Sequence, residues 1–395
     1  MSRILQKKVI FIGGFPPPYG GVSMWNKRVL NYFTRRKIEF LVVPWYGELS
    51  RDIPQLPFKK VRKGGQLAKV VFTAISNTHL FLGALRFVPM SISNAYQILA
   101  MLAQAKQVAH ILKHEGWTDN GSTIYSSYCP TFRGLFAAYL KRLIPKSELV
   151  MHIHGAEVIE CLQHYKRFMK YVLSQADKIV VASEYMKSRT SNLGIPDNII
   201  KVIPCGLEID YKEGKRHKEN LIMFCGRLDH SKDPLTLLES APRVVNDLNG
   251  QVKFMFFGEG ILREEMEEVI RKKNLQDYVR ILGQVANDKL VNYYKKAKVF
   301  VSASTREPFG IVLTEALSHY MPCIVTDIGG MPEIVTHGRE GFIVAKGDAD
   351  KIAQHIVELF SNSDLYNRMS EAARKRSLAY DINVVMDRLV DFLNE

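Results

Sequence analysis

Short runs of β-branched and aromatic residues alternate with longer amphipathic stretches along the whole chain, and this alternation constrains the fold more than any other feature. The runs are KVIFIGG, EFLVVPW, STIYSSY, ELVMHIHG and KIVVAS in the first half, KVIPCG at the crossing, and then LIMFCGRL, VKFMFFGEG, VRILG, VFVSAS, PCIVTD and GFIVA. Strands that alternate with helices form parallel sheets with right-handed crossovers. The sequence therefore predicts an α/β protein with doubly wound, Rossmann-like sheets.

Length and one polar segment divide the chain into two domains. The chain has 395 residues, more than a single domain of this class usually holds. The charged stretch GLEIDYKEGKRHKE (206–219) lies between two apolar strands. We therefore predict domains over residues 1–205 and 206–376 that face each other across a cleft. Ligands of open α/β sheets bind outside the carboxyl ends of the strands, so the cleft is the expected site.

Hydrophobic periodicity predicts the helices of the second half. The periodic stretches cover residues 234–248, 262–273, 288–297, 311–320 and 350–361. The last segment, 377–395, has the apolar spacing of a terminal helix. The pair Asp348 and Asp350 precedes one of these helices, and we interpret it as an N-cap rather than as a metal clamp.

The basic residues are concentrated in the first half of the chain. The formal charge of the chain is +14, and residues 1–205 hold 28 Lys and Arg against 11 Asp and Glu, whereas residues 206–395 have a net charge of −3. A positive field of this size indicates an anionic neighbour, nucleic acid or a bilayer, although solubility alone is an alternative. No helix-turn-helix pattern or interleaving of basic and aromatic residues favours nucleic acid.

A basic cluster beside an apolar segment favours an anionic membrane surface. The cluster KKVRK (59–63) precedes the apolar segment 67–90. Five residues of that segment share roughly one helical face: Leu67, Val70, Val71, Ala74 and Ile75. Such a face would lie in a bilayer interface, or else pack inside the domain as an ordinary core helix.

Two further observations bear on location. No window offers about 18 uninterrupted apolar residues, so we expect no membrane-spanning helix. The five cysteines show no CxxC spacing, which favours a reduced protein without a disulfide framework or a zinc site. We therefore expect a cytoplasmic protein that binds peripherally to the inner face of the plasma membrane.

Three glycines follow predicted strands at points where a phosphate could approach the backbone. Gly20 and Gly21 come after the first strand and before the periodic stretch 22–33, and Gly258 ends the strand VKFMFF. Glycine lets backbone N–H groups and a helix N-terminus approach an anionic oxygen, although a tight turn also explains each position. The chain has no Walker pattern, and Gly258 lacks the third glycine of the dinucleotide fingerprint, which argues against NAD.

Two cations lie on one loop in the second half. Arg227 and Lys232 are five residues apart in GRLDHSKD, just beyond the strand LIMFCG. They could grip a diphosphate, Arg through bidentate hydrogen bonds and Lys as a point charge. A basic pair on the surface would have no such meaning, but the position at the carboxyl end of a strand favours a functional role.

The stretch EPFGIVLTE carries two carboxylates and a predicted helix start. Glu307 and Glu315 are separated by seven residues, so a helix that begins near Gly310 places Glu315 in its second turn. The N–H groups of Phe309, Gly310 and Ile311 would then face the cleft beside Glu307. Carboxylates bind sugars well because their oxygens accept from vicinal hydroxyls. Alternatively, the glutamate at the helix N-terminus is there because the helix dipole favours a negative charge, and the other glutamate faces solvent.

The segments GGVS, HIHGAE, CGRLDHSKD, EPFGIVLTEAL and DIGGMPEIVTHGREGFIV, in this order and spacing, resemble the retaining glycosyltransferases of family 4. The resemblance is specific over nearly the whole second half and looser over the first. It implies the GT-B fold, with segment 377–395 returning to the first domain. It also implies a hexosyltransferase that uses a nucleotide-diphosphate sugar and no cofactor or metal.

The resemblance implies a role for each matching residue. Arg227 and Lys232 would hold the donor diphosphate, and Glu315 the ribose hydroxyls. Glu307 and the backbone from Phe309 through Gly310 to Ile311 would orient the donor sugar. Gly21 would approach the phosphate, and His154 would lie near the donor sugar. We interpret His152 as a satisfied strand histidine that points to the opposite face from His154.

The resemblance further implies retention by a same-face displacement in which the leaving diphosphate helps to deprotonate the acceptor. Arg227 and Lys232 would stabilise the charge that develops on this leaving group. The expected acceptor is a lipid-linked or cell-surface glycan intermediate of polysaccharide biosynthesis. Alternatives are a soluble acceptor, or a nucleotide-sugar epimerase of the same architecture, which would form products without an acceptor.

Overall fold

The computed structural model describes residues 5, 7–14, 21–46, 92–118, 121–129, 132–154, 165–211 and 218–395. These residues form two compact units. Unit 1 is Met1–Pro204 with Val385–Glu395, and unit 2 is Cys205–Val384. The cluster 59–63, the segment 67–90 and Gly20 lie outside the described residues. None of the described helices is both long enough and apolar enough to cross a bilayer.

Unit 1 contains a six-stranded parallel sheet with the strand order β2-β1-β3-β4-β5-β6. Its strands are β1 (Lys8–Gly14), β2 (Phe40–Tyr46), β3 (Ser122–Cys129), β4 (Glu148–Ile153), β5 (Lys178–Val181) and β6 (Ile200–Val202). Its helices are α1 (Gly21–Arg35), α2 (Ile92–His114), α3 (Phe132–Leu143), α4 (Lys166–Leu173) and α5 (Glu184–Ser191).

The core of unit 1 follows from the apolar strands. Val9, Ile10, Phe11 and Ile12 are all fully buried, as expected for a parallel strand that is covered on both faces. The end of the chain belongs to the same unit, since the Tyr32 hydroxyl donates to Asp387 Oδ1 at 2.8 Å.

Unit 2 contains a second six-stranded parallel sheet, with the order β12-β11-β10-β7-β8-β9. Its strands are β7 (Leu221–Cys225), β8 (Lys253–Phe257), β9 (Val279–Ile281), β10 (Val299–Ser302), β11 (Cys323–Thr326) and β12 (Gly341–Val344). Its helices are α6 (Pro234–Asp247), α7 (Arg263–Lys272), α8 (Asn287–Lys296), α9 (Ile311–Ser318), α10 (Met331–Ile334), α11 (Ala349–Ser361) and α12 (Ser363–Ser377); the final helix, α13 (Ile382–Asn394), belongs to unit 1 from Val385 onward.

The structure confirms the α/β prediction and the five helices predicted in the second half, each within two residues at either end. The interpretation of Asp348 as an N-cap is also confirmed, because its side chain accepts from the Lys351 N–H at 2.9 Å.

Each sheet has one point where the strand order reverses. In unit 1 the reversal lies between β1 and β3, and in unit 2 it lies between β7 and β10. The connections leave such a point in opposite directions, which opens a crevice at the carboxyl ends of the two strands. The site of unit 2 is therefore expected in the loops that follow β7 and β10.

Candidate functional site

The loop after β7 is organised by Asp229. Its Oδ1 accepts from the backbone N–H groups of Ser231 and Lys232 at 3.0 and 3.1 Å and from the Ser231 hydroxyl at 2.6 Å. Its Oδ2 lies 3.1 Å from Arg227 Nε. Burial acts to raise the pKa of Asp229, but the hydrogen bonds from Ser231 and the charge of Arg227 outweigh it and hold the pKa below its ordinary value. The loop thus folds around an ionised carboxylate.

Asp229 presents the first of the two predicted cations to solvent. The Arg227 side chain is 64% exposed, and its Nη2 also lies within 3.4 Å of Ser231 Oγ. Asp229 is not among the residues that we predicted for the site. The sequence does contain a signal for this residue. An Asp followed two residues later by Ser is typical of a turn in which the carboxylate accepts hydrogen bonds from the backbone.

An ion pair joins the loops on the two sides of the reversal. Lys232 Nζ lies 2.5 Å from Glu307 Oε2, and the side chains are 21% and 10% exposed. The backbones are joined as well, because the N–H groups of Thr305 and Arg306 donate to the Ser231 carbonyl at 2.9 and 3.2 Å. The residues that were predicted to bind a diphosphate and a sugar therefore meet at this point.

Helix α9 begins where the sequence predicts. Gly310 is its N-cap, with φ at +106°, a left-handed conformation that favours glycine. Phe309 is buried, and its N–H donates to Glu307 Oε1 at 3.4 Å. Of the three backbone N–H groups that were predicted to face the cleft, the one of Phe309 therefore binds Glu307 instead. Ile311 opens the helix and Glu315 lies in its second turn.

Glycines allow close backbone approaches beneath this site. A Cβ on Gly329, where φ is +63°, would lie 1.9 Å from the Glu307 carbonyl oxygen, and the neighbouring Gly330 N–H donates to that oxygen at 2.9 Å. A Cβ on Gly258 would lie 1.8 Å from the Gly226 carbonyl oxygen. Gly258 thus packs the loop after β8 against the loop after β7, and its role toward a donor stays a prediction.

The Glu315 carboxylate contacts a residue that is not among the predicted site residues. Tyr294 of α8 donates from its hydroxyl to Glu315 Oε2 at 3.3 Å. Burial, reinforced by the Glu315 charge, raises the pKa of the Cys225 thiol, at the end of β7, to about 12. No sequence signal identifies the contact of Tyr294 with Glu315, because the two residues come from different elements and meet only in the tertiary structure.

Unit 1 has its own polar cluster at the carboxyl ends of β3 and β4. His154 is buried, and its Nε2 lies 3.2 Å from the Ser127 hydroxyl, which donates to Asn26 Oδ1 at 2.5 Å. Burial lowers the pKa of His154 to about 3. The imidazole is therefore neutral at physiological pH. Gly21, the other predicted residue of this unit that the structure describes, is the first residue of α1.

The prediction that His152 points away from His154 is wrong. The two ring centroids are 3.6 Å apart, because residues two apart in a strand share a face. His152 contacts the Tyr125 hydroxyl through Nδ1, but its buried Nε2 has no hydrogen-bond partner, so the side chain is only partly satisfied. Burial, reinforced by His154, holds the pKa of His152 well below its ordinary value.

No group of three or more His, Cys, Asp or Glu side chains suited to a metal ion occurs in the part of the chain that the structure describes. The metal-independence of the reaction stays a prediction.

The chain matches the sequences and structures of known proteins. The family description "Glycosyl transferases group 1" matches residues 207–376, and "Glycosyltransferase Family 4" matches residues 19–211. An uncharacterised glycosyltransferase of Methanocaldococcus jannaschii is 27% identical over 261 residues, which cover 66% of this chain and 71% of the relative.

A GDP-mannose-dependent alpha-(1-6)-phosphatidylinositol monomannoside mannosyltransferase of Mycobacterium tuberculosis is 26% identical over 276 residues, which cover 64% of this chain and 71% of that protein. The crystal structure of Anabaena HepE with UDP and glucose has a TM-score of 0.75 at 17% identity, covering 98% of this chain and 99% of that one. The chain therefore belongs to the family 4 glycosyltransferases and has the GT-B fold.

Proposed function

We propose that this glycosyltransferase is a retaining, metal-independent hexosyltransferase that moves a sugar from a nucleotide-diphosphate sugar to an acceptor hydroxyl. The observation that carries the proposal is the Lys232–Glu307 ion pair at the strand reversal, with Arg227 on the same loop. These side chains offer two cations for a diphosphate and a carboxylate for sugar hydroxyls.

The cations act on the leaving group. As the bond between C1 of the sugar and the diphosphate oxygen breaks, negative charge grows on the diphosphate, and Arg227 and Lys232 stabilise it. Glu315 accepts from the ribose hydroxyls, and Glu307 accepts from the donor sugar. The neutral His154 accepts or donates a hydrogen bond to a sugar hydroxyl rather than offering a positive charge.

The chemical step is a same-face displacement. The acceptor oxygen forms its bond to C1 on the side that the diphosphate leaves, and the acceptor proton passes to a diphosphate oxygen. The anomeric configuration is thereby retained without a covalent enzyme intermediate. Both cations needed for the leaving group come from the chain itself, which supports the proposal that no metal ion is required.

The acceptor that we propose is a lipid-linked or cell-surface glycan intermediate, with the enzyme on an anionic membrane surface. Two observations support this: the net charge of +17 over residues 1–205, and the phosphatidylinositol monomannoside named for the Mycobacterium relative. Flotation with anionic liposomes should recover the protein at low salt and lose it as salt rises. Recovery only in the soluble fraction would favour a soluble acceptor.

The donor is tested with UDP- and GDP-sugars. We expect slow hydrolysis of one of them, faster turnover when an acceptor is added, full activity in EDTA and a product that NMR identifies as the retained anomer. A changed sugar released without any acceptor would instead indicate an epimerase. An inverted anomer, or activity that EDTA abolishes, would contradict the proposed mechanism.

The two glutamates provide a second test. Glu315→Ala should weaken binding of the free nucleoside diphosphate, whereas Glu307→Ala should spare it and weaken only the sugar-linked donor. Calorimetry with both ligands measures the difference. Equal losses for the two variants would contradict the separate roles of ribose and sugar binding.

A further inference from the structure

The carboxylate of Glu315 is held by a buried tyrosine. Tyr294 is 2% exposed, and its hydroxyl donates to Glu315 Oε2 at 3.3 Å. Its ring stacks with Phe300 and with His319, at centroid distances of 6.2 and 5.5 Å and interplanar angles of 23° and 19°. A ring fixed in this way holds its hydroxyl at one place relative to the sheet.

The helix that carries Glu315 is held at the same point. His319, which stacks with Tyr294, directly follows α9 as its C-cap, and its Nδ1 is 2.9 Å from the Glu315 carbonyl oxygen. Tyr294 therefore contacts the Glu315 carboxylate directly and the Glu315 backbone through His319. A long side chain held at both ends has lost most of its rotamer freedom before a ligand arrives.

The single hydrogen of the Tyr294 hydroxyl goes to Glu315. A phenol has one hydrogen, and Tyr294 donates it to the carboxylate. Burial, reinforced by the Glu315 charge, raises the pKa of the Cys225 thiol to about 12, so the sulfur at the end of β7 keeps its proton and does not compete as an anion for that hydrogen.

We propose that Tyr294 is a positioning residue that aims the Glu315 carboxylate at the ribose of the donor. This inference rests on the proposed function and deepens it, because it names the residue that holds Glu315 in position. A single hydrogen bond uses one of about four acceptor positions of a carboxylate, so Tyr294 orients the group without consuming its capacity for vicinal hydroxyls.

The competing view is that Tyr294 only fills the core. The two views differ in whether loss of the Tyr294 hydroxyl weakens only those nucleotides that carry ribose hydroxyls. The experiment compares Tyr294→Phe with wild type by calorimetry, using UDP and 2′,3′-dideoxy-UDP, or the corresponding guanosine pair if GDP is the better ligand. Phenylalanine keeps the ring and its stacking and removes only the hydroxyl. Tyr293→Phe is the matched control, because Tyr293 is the adjacent residue on α8 and packs on Phe257 at 4.7 Å.

We expect Tyr294→Phe to weaken binding of the ribonucleotide about tenfold, which is the usual worth of one charge-assisted hydrogen bond. Binding of the dideoxynucleotide should change less than about twofold. Tyr293→Phe should change neither. Equal weakening of both nucleotides, or no weakening of either, by Tyr294→Phe would overturn the inference.

The failure of this inference is separable from the failure of the proposed function. Glu315→Ala is measured alone and combined with Tyr294→Phe. If Glu315→Ala leaves ribonucleotide affinity unchanged, the ribose role itself is wrong. If Glu315→Ala weakens binding but Tyr294→Phe does not, only the inference is wrong. If both are right, Tyr294→Phe has no further effect once Glu315 is Ala.

Discussion

The two sheets place polar side chains at the same kind of position, yet the two clusters have opposite electrostatic character. In unit 2 the loops after β7 and β10 carry Lys232 and Glu307, which form an ion pair. In unit 1 the ends of β3 and β4 carry Ser127 and His154, which are buried and neutral. The topology decides where each cluster lies, and the side chains alone decide its chemistry.

The comparison also separates the charge of a domain from the charge of its site. Residues 1–205 have a net charge of +17, but the cluster that the structure describes there has no charged member. Residues 206–395 have a net charge of −3, but their site presents Arg227 and Lys232. Net charge therefore informs about surfaces and partners, and it does not locate the groups that act on an anionic substrate.

The largest expected effect comes from removing a cation of unit 2. Lys232→Ala and Arg227→Ala should each lower kcat/KM at least about 10²-fold, about 2.7 kcal/mol, because the diphosphate loses a partner for its growing charge. Steady-state kinetics measures this. Lys272→Ala, which removes an exposed lysine of α7, is the control and should have no effect.

Stability distinguishes the two cations. Lys232→Ala leaves Glu307 largely buried without its partner, so it should also lower the unfolding temperature, whereas Arg227→Ala removes an exposed side chain and should not. Full activity in both variants would remove the basis for assigning the diphosphate to this loop.

The next effect comes from the backbone that supports Glu307. Gly329→Ala places a Cβ 1.9 Å from the Glu307 carbonyl oxygen, so it should destabilise unit 2 by about 2 kcal/mol or more and reduce donor binding. Gly338→Ala is the matched control, because φ is similarly positive there, at +80°, and nothing lies within 4 Å of the added carbon. It should cost only about 1 kcal/mol. Denaturant unfolding compares them, and equal losses would mean that the contact is unimportant.

A smaller effect is expected in unit 1, where His154 should make the stability of the protein depend on pH. The folded pKa of His154, about 3, is below the ordinary value of 6.5, so between these values the unfolded chain binds more protons and stability falls as the pH falls. The stability that His154 contributes is complete above pH 6.5 and declines by about 1.4 kcal/mol per pH unit below it. His154→Gln should therefore lose stability less steeply between pH 6 and about pH 4.5. Urea unfolding at several pH values tests this, and parallel curves would show that the histidine is not buried as a neutral group.

The smallest effect concerns the neutral hydrogen bonds of unit 1. Ser127→Ala removes the hydroxyl that links Asn26 and His154. It should lower kcat/KM about 2- to 13-fold, which corresponds to about 0.5–1.5 kcal/mol, the usual worth of one neutral hydrogen bond. Ser191→Ala, in α5, is a control for loss of a serine hydroxyl in the same unit. If Ser127→Ala were as damaging as Lys232→Ala, the contrast between a charged and a neutral cluster would have no functional meaning.

Local sequence patterns predicted the strands, five helices of the second half and the start of α9 at Gly310, because apolar periodicity and glycine act over a few residues. Arg227, Lys232 and Glu307 were also predictable, since each lies in a loop that follows a strand. The Tyr294–Glu315 contact was not, because it depends on how α8 packs beside α9. The error over His152 had a different origin, since the period of a strand, applied correctly, puts it beside His154.

The ion pair of Lys232 and Glu307 has a consequence for how any anion enters the site. Two opposite charges 2.5 Å apart cancel much of each other's field at a distance. A phosphate that engages the ammonium group replaces one counter-ion by another, and its net electrostatic gain is the difference between two pairings. The exchange also releases the carboxylate of Glu307 for a hydroxyl donor. A ligand that carries both a phosphate and a hydroxyl therefore gives each member of the separated pair a new partner, whereas inorganic phosphate gives one only to Lys232.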